Sequence, residues 1–195
     1  AAHLRLAGYF GSRQLDQRAI DELPWQLAEA AAWQRLYDLL ADREFFERSW
    51  VHNEYDVKAS WARVEAGSPL RMADAYRPLV EDADPAPGWA FGLSKLLIDT
   101  GHLPEARTLL ERFTERCRAR DDRDSLQASL LNLAVIAQHL GDLDAAMALL
   151  REQEQICRAL GDQVGRATSL GNQAVILARQ GNPDGAMELY AEEER

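Results

Sequence analysis

The chain repeats itself. Gly101, Gly141 and Gly181 stand 40 residues apart, and the same step relates Ala106 to Ala146 and Ala186, Leu109 to Leu149 and Leu189, and Cys117 to Cys157. Between these landmarks Asn132-Leu133-Ala134-Val135-Ile136 answers Asn172-Gln173-Ala174-Val175-Ile176. A fixed period of this size marks stacked units, none of which can bury its apolar face alone. No other property of the chain narrows the fold as far.

Within the repeated stretch the apolar spacing is helical, and the helices come in pairs. Trp89 to Thr100 precedes Pro104 to about Arg118; Asp124 to Leu140 precedes Leu143 to Ala159; Val164 to Gln180 precedes Pro183 onward. Each landmark glycine closes the first helix of a pair, where a left-handed residue costs little. Pro104, Asp144 and Asp184 suit the first turn of the second helix. Ala134, Ala146, Ala174 and Ala186 are small where two helices must approach closely, so larger side chains there should overpack.

Before Trp89 the pattern is irregular, and all five tryptophans lie at or before that residue. Leu4, Leu6, Tyr9 and Phe10 end one expected helix near Gly11-Ser12. Asp16 can cap a second that carries Ile20, Leu23, Leu27 and Ala30, with Pro24 calling for a kink or a fresh start. Further helices are expected around Trp33 to Leu40, Phe45 to Trp50, Val57 to Gly67 and Leu70 to Leu79. Period-2 alternation is absent, so no strand is expected. The stretch Asp84-Pro85-Ala86-Pro87-Gly88 reads as the joint, dividing residues 1–84 from an array at 88–195.

Composition excludes several partner classes. A net charge of −10 argues against nucleic acid, whose backbone is bound by clustered Lys and Arg. The cluster Arg116, Arg118, Arg120 and Arg123 is interleaved with Asp121, Asp122 and Asp124, as on a solvated helix end. No apolar run is long enough for a bilayer, and the N-terminus lacks the pattern of a signal peptide. Two cysteines at equivalent repeat positions suggest buried thiols in a reducing, hence cytoplasmic, compartment.

The combination of Ala134, Gly141-Asp142 and Ala146, then Ala174, Gly181-Asn182 and Ala186, resembles the tetratricopeptide repeat in the longer form of kinesin light chains. A looser unit has Ser94, Gly101-His102 and Ala106. The resemblance implies an all-α, right-handed α-solenoid of antiparallel helix pairs, here preceded by an irregular helical segment. A second resemblance rests on His3-Leu4-Arg5-Leu6-Ala7-Gly8-Tyr9-Phe10 and Glu22-Leu23-Pro24-Trp25-Gln26-Leu27, followed by Trp33 and Leu36. These residues look like the segment after the ATPase core in nephrocystin-3-like and bacterial STAND (signal-transduction NTPase) proteins. Ala31 stands where family members often have glycine.

Catalytic motifs are missing. No GxxxxGK[ST] loop occurs, and Gly92-Leu93-Ser94-Lys95 falls within a helix. The STAND resemblance would place the ATPase upstream of Ala1, and Arg195 matches the mid-helix Gln155, so the last repeat reads as truncated. His3, His52, His102 and His139 lack metal-ligand spacing, and no cofactor is expected. His52-Asn53-Glu54-Tyr55-Asp56 puts a base near two carboxylates, but a helix cap by Asn53 accounts for it.

A concave surface lined by the first helix of each pair remains. Asn132, Val135, Gln138 and His139 share about one side of that helix, and Asn172, Val175 and Arg179 repeat the placement. In repeats of this family that bind extended peptides, an asparagine at this position bonds the peptide backbone. Asn132 and Asn172 match it, and Gly92 does not. The expected function is a non-catalytic scaffold that binds a protein or peptide, the linker and first sensor repeats of a STAND-type ATPase. The alternative is self-association through the truncated last repeat, or packing on the ATPase core.

Overall fold

The computed structural model describes residues 1–81 and 87–193, and among these residues there are eleven α-helices and no strand. Contacts gather them into two units, one of residues 1–81 with 91–105 and one of residues 87–90 with 106–193. Most of the proline-rich joint lies outside the described residues, although Pro87 and Gly88 open helix α6 (Pro87–Asp99).

In the first unit the helices are α1 (Ala2–Gly11), α2 (Gln17–Glu29), α3 (Trp33–Ala41), α4 (Arg43–Gly67) and α5 (Met72–Val80), joined by most of α6. Asp16 caps α2, its carboxylate accepting from the Ala19 N–H at 2.8 Å. Pro24 lies inside α2, so no new helix begins there, and the Ile20 carbonyl lacks its usual donor. The turn after α2 requires a left-handed residue, and Ala31 takes that conformation at φ 50°. The two helices expected from Phe45 to Gly67 form one element, α4, broken where Asn53 turns extended (φ −159°, ψ 100°).

The core of this unit is aromatic. Trp61 is buried edge-on against Tyr37 and Tyr76, at ring separations of 5.6 and 5.4 Å. Its indole N–H donates to Tyr76 Oη at 3.1 Å, and that hydroxyl donates to the Leu40 carbonyl at 2.8 Å. The chain of bonds satisfies each buried polar atom and ties α3, α4 and α5 together. Burial also pushes the Tyr76 phenol well above its ordinary pKa. Gly92 lets α6 approach α4, because a Cβ there would lie 3.1 Å from the Trp50 ring.

The second unit is regular. Helices α7 (Leu103–Arg120), α8 (Arg123–His139), α9 (Leu143–Leu160), α10 (Gln163–Arg179) and α11 (Pro183–Glu193) follow one another through very short turns. Helix α9 packs on both α8 and α10, and α10 packs on α11. Turns this short reverse the chain, so neighbours in sequence run antiparallel. Asp122, Asp142 and Asp162 cap α8, α9 and α10 through backbone N–H groups at 2.9–3.1 Å, and Asn182 does the same at the start of α11. Asp144 and Asp184 occupy the first turns of α9 and α11.

Equivalent residues sit in equivalent surroundings. Gly101, Gly141 and Gly181 have φ of 83°, 81° and 81°. Ala134, Ala146, Ala174 and Ala186 are all buried, and Ala134 and Ala146 share a core cluster with Met147, Leu150 and Ile176. Cys117 and Cys157 are buried and free, as their matched positions suggest.

Candidate peptide-binding face

The expected site residues fall on α8 and α10, the two helices that flank α9. Asn132, Val135 and His139 recur at steps of three and four residues along α8, which places them on one face. Asn172, Val175 and Arg179 do the same along α10. Asn132, Val135, Gln138 and Asn172 are half-buried, whereas His139, Val175 and Arg179 are exposed. The inner faces of the same helices carry buried Ser129, Leu130 and Ala134 on α8, and Ser169, Leu170 and Ala174 on α10. Each helix therefore directs its small and apolar side into the stack and a mixed amide, valine and basic side outward.

The two asparagines are not equivalent in bonding. Asn172 donates from Nδ2 to the Thr168 carbonyl one turn back, at 2.8 Å, leaving its own carbonyl oxygen free to accept. Asn132 makes no side-chain hydrogen bond among the described residues. An amide offers donors and an acceptor together, which is what an extended peptide backbone requires. His139 and Arg179 lie in the last turns of their helices. A basic group there is also favoured by the helix dipole alone.

Polar side chains that the repeat pattern did not reveal join the helices behind this face. Gln127 accepts from Gln153 Nε2 and from the Cys157 thiol, both at 3.5 Å, and donates to Asp162 at 3.4 Å. Gln153 is almost fully buried, and its Oε1 has no partner among the described residues. Gln173 is buried too and donates to Glu154 at 3.1 Å. Their only sequence signal is a glutamine at a core-facing helical position, such as Gln173 where the preceding repeat has Leu133.

Reactive groups are held in unreactive states. Burial pushes the thiols of Cys117 and Cys157 up from their ordinary pKa, away from the nucleophilic thiolate. The run from His52 to Asp56 does not form a cluster. Asn53 accepts from the Tyr55 N–H at 3.0 Å, Asp56 accepts from Asn53 at 2.8 Å, and Glu54 pairs with Lys95 at 2.7 Å. His52 instead meets Asp21 of α2 at 2.8 Å. Among the described residues no group of three His, Cys, Asp or Glu side chains is placed to hold a metal ion. No helix there is long and apolar enough to cross a membrane.

Comparison with known families agrees with this geometry. Residues 125–194 match a family model described as tetratricopeptide repeat, and residues 90–112 match a second model of the same description. The first match begins two residues into α8 and runs to the last helix, so it takes in both candidate asparagines. No curated protein matches the chain. The matches and the stacked helix pairs together support a tetratricopeptide-repeat array.

Proposed function

We propose that the chain is a non-catalytic protein-interaction scaffold whose ligand is an extended peptide laid along α8 and α10. One observation carries the reading. Two amides, Asn132 and Asn172, recur 40 residues apart on the outward face of the first helices of two successive units, each three residues before a valine. The fold itself needs no asparagine there, because the helices are capped by Asp122 and Asp162 and packed through their opposite faces. Gln138, His139 and Arg179 extend the same face and would meet the peptide's side chains.

In this proposal residues 1–84 are the linker and residues 88–195 the first sensor repeats of a cytoplasmic STAND-type signalling ATPase. The motif around Trp25 motivates the assignment, and the left-handed Ala31 occupies the position where that family often has glycine. The 40-residue step is the basis for likening the repeats to those of kinesin light chains. Pull-down of partners by the wild type and by Asn132→Ala with Asn172→Ala, followed by calorimetry on whatever is captured, tests the face. Undiminished binding by the double variant would remove it from consideration.

Self-association is the second reading. Met187 is 70% exposed and Tyr190 is 42% exposed on α11, leaving apolar surface on the last described helix. Light scattering over a concentration series decides it: a strict monomer throughout excludes the idea.

A further inference from the structure

The first unit contains a groove that the repeat-based reading leaves unused. It lies between α2 and α4, has a volume of about 620 Å³, and falls within the size range of ligand sites. Its floor is apolar, built from Ile20, Pro24, Leu40, Phe45 and Val57. At the edge stands Trp25, 48% exposed although it is among the largest apolar side chains of the unit. The break at Asn53 interrupts α4 beside this groove.

The charge around the groove is one-sided. Asp21, Glu22 and Asp56 line it, and none of them is paired with a lysine or arginine among the described residues. Each carboxylate accepts only from a neutral amide or an imidazole: Asp21 from His52 at 2.8 Å, Glu22 from Gln26 at 3.1 Å, and Asp56 from Asn53 at 2.8 Å. The one guanidinium at the groove, that of Arg63, is held by Glu29 at 2.7 Å. Elsewhere in the unit carboxylates do find cations, as Glu54 finds Lys95 and Glu47 finds Arg43. Three of the acids left without one, Asp21, Glu22 and Asp56, line an apolar trough with an indole at its rim.

We infer that this groove docks a basic peptide segment of a partner protein, an arginine flanked by aliphatic residues. The aliphatic side chains fill the floor over Phe45 and Val57, the guanidinium reaches Asp21 or Asp56, and its flat face stacks on Trp25. Arginine fits better than lysine, since its planar fork can pair with a carboxylate and cover an aromatic ring together. The site is separate from the α8 and α10 face.

The test is fluorescence anisotropy with the intact chain and a short fluorescein-labelled peptide alternating arginine and leucine, with its glutamate and leucine counterpart as control. The basic peptide should bind and the acidic one should not. Asp21→Asn with Asp56→Asn should weaken binding roughly tenfold, the scale of two partly exposed charge pairs. Trp25→Ala should weaken it roughly three- to fivefold. Asp124→Asn with Asp184→Asn removes the same charge from the second unit and should change nothing. Failure of the basic peptide to bind overturns the inference, and so does equal loss from both pairs of Asp→Asn changes, which would mean diffuse attraction. A dimer abolished by the Asp21 and Asp56 changes but not displaced by peptide also overturns it, making a second copy the occupant. Circular dichroism of each variant separates lost binding from lost fold.

Discussion

The two units solve the same packing problem in opposite ways. The second repeats one solution: a buried alanine, a left-handed glycine and an acidic or amide cap return every 40 residues in matching surroundings. The first uses the same devices without a period: its caps Asp16 and Asp42, its buried Ala7, Ala19 and Ala28 and its left-handed Ala31 share no fixed spacing. Its core is locked by an indole, two phenol rings and a chain of two hydrogen bonds. Repetition spreads stability over many modest, equivalent contacts. A unique core concentrates it in few residues, so single substitutions should separate the two designs.

The largest effect is expected at Trp61. Trp61→Ala removes a buried indole and also orphans the Tyr76 hydroxyl as an acceptor, and should cost about 3–5 kcal/mol in urea unfolding. Tyr76→Phe removes the bonds but keeps the ring, and should cost about 1–3 kcal/mol. If both changes cost less than the alanine substitutions that follow, the contrast between the units fails.

Next come the small residues of the repeats. Ala134→Leu and Ala174→Leu should each destabilise by about 1–3 kcal/mol, because both are fully buried where two helices meet. The sharper expectation is that the two costs agree closely. A wide difference would show that equivalence in position does not mean equivalence in packing.

The left-handed positions give a smaller, signed test across both units. Gly141→Ala and Gly181→Ala should each cost about 1 kcal/mol, while Ala31→Gly and Asp121→Gly should each gain at most about 1 kcal/mol, partly offset by the greater freedom of glycine in the unfolded chain. Ala31 and Asp121 have φ of 50° and 53°, so each carries a Cβ in the region that disfavours one. Asp121 stands one repeat before Gly161, whose φ is 73°. Thermal midpoints of the four variants would check both signs.

These comparisons also explain which parts of the structure were legible beforehand. Helix starts and ends in the second unit follow from caps and glycines, which act within a turn and are therefore written locally. The spacing of Asn132 and Asn172 was readable for the same reason, since a helix converts sequence spacing into a face. Contacts between distant segments were not. The sequence sets His52 beside Glu54 and Asp56, yet the carboxylate it meets is that of Asp21, because α2 lies alongside α4. The extended residue inside α4 was hidden as well: Asn53 suits a cap, but nothing local says that the helix resumes in the same element. The exposure of Leu4, Leu6 and Tyr9 on α1 likewise depends on what packs there, which apolar spacing alone does not record.

The smallest expected effect concerns charge. Glu54 lies beside Lys95 and Lys58, and the hydrogen bond from Lys95 holds its carboxyl below the ordinary carboxylate range. The same pairing raises Lys95 above its usual value. A carboxylate with a depressed folded pKa contributes stability that is present above its unfolded pKa of about 4.3 and is lost as pH falls through the lower folded value. A raised lysine contributes stability that is full below about pH 10.4 and disappears as pH climbs through its folded value. Glu54→Gln should therefore lower stability between these limits by less than about 1 kcal/mol, as expected for exposed pairs, and the loss should shrink in high salt. Its curve should approach that of the wild type toward both extremes of pH. Urea midpoints measured from pH 3 to pH 11 decide the matter, and a constant offset at every pH would mean that Glu54 acts through packing and not through its charge.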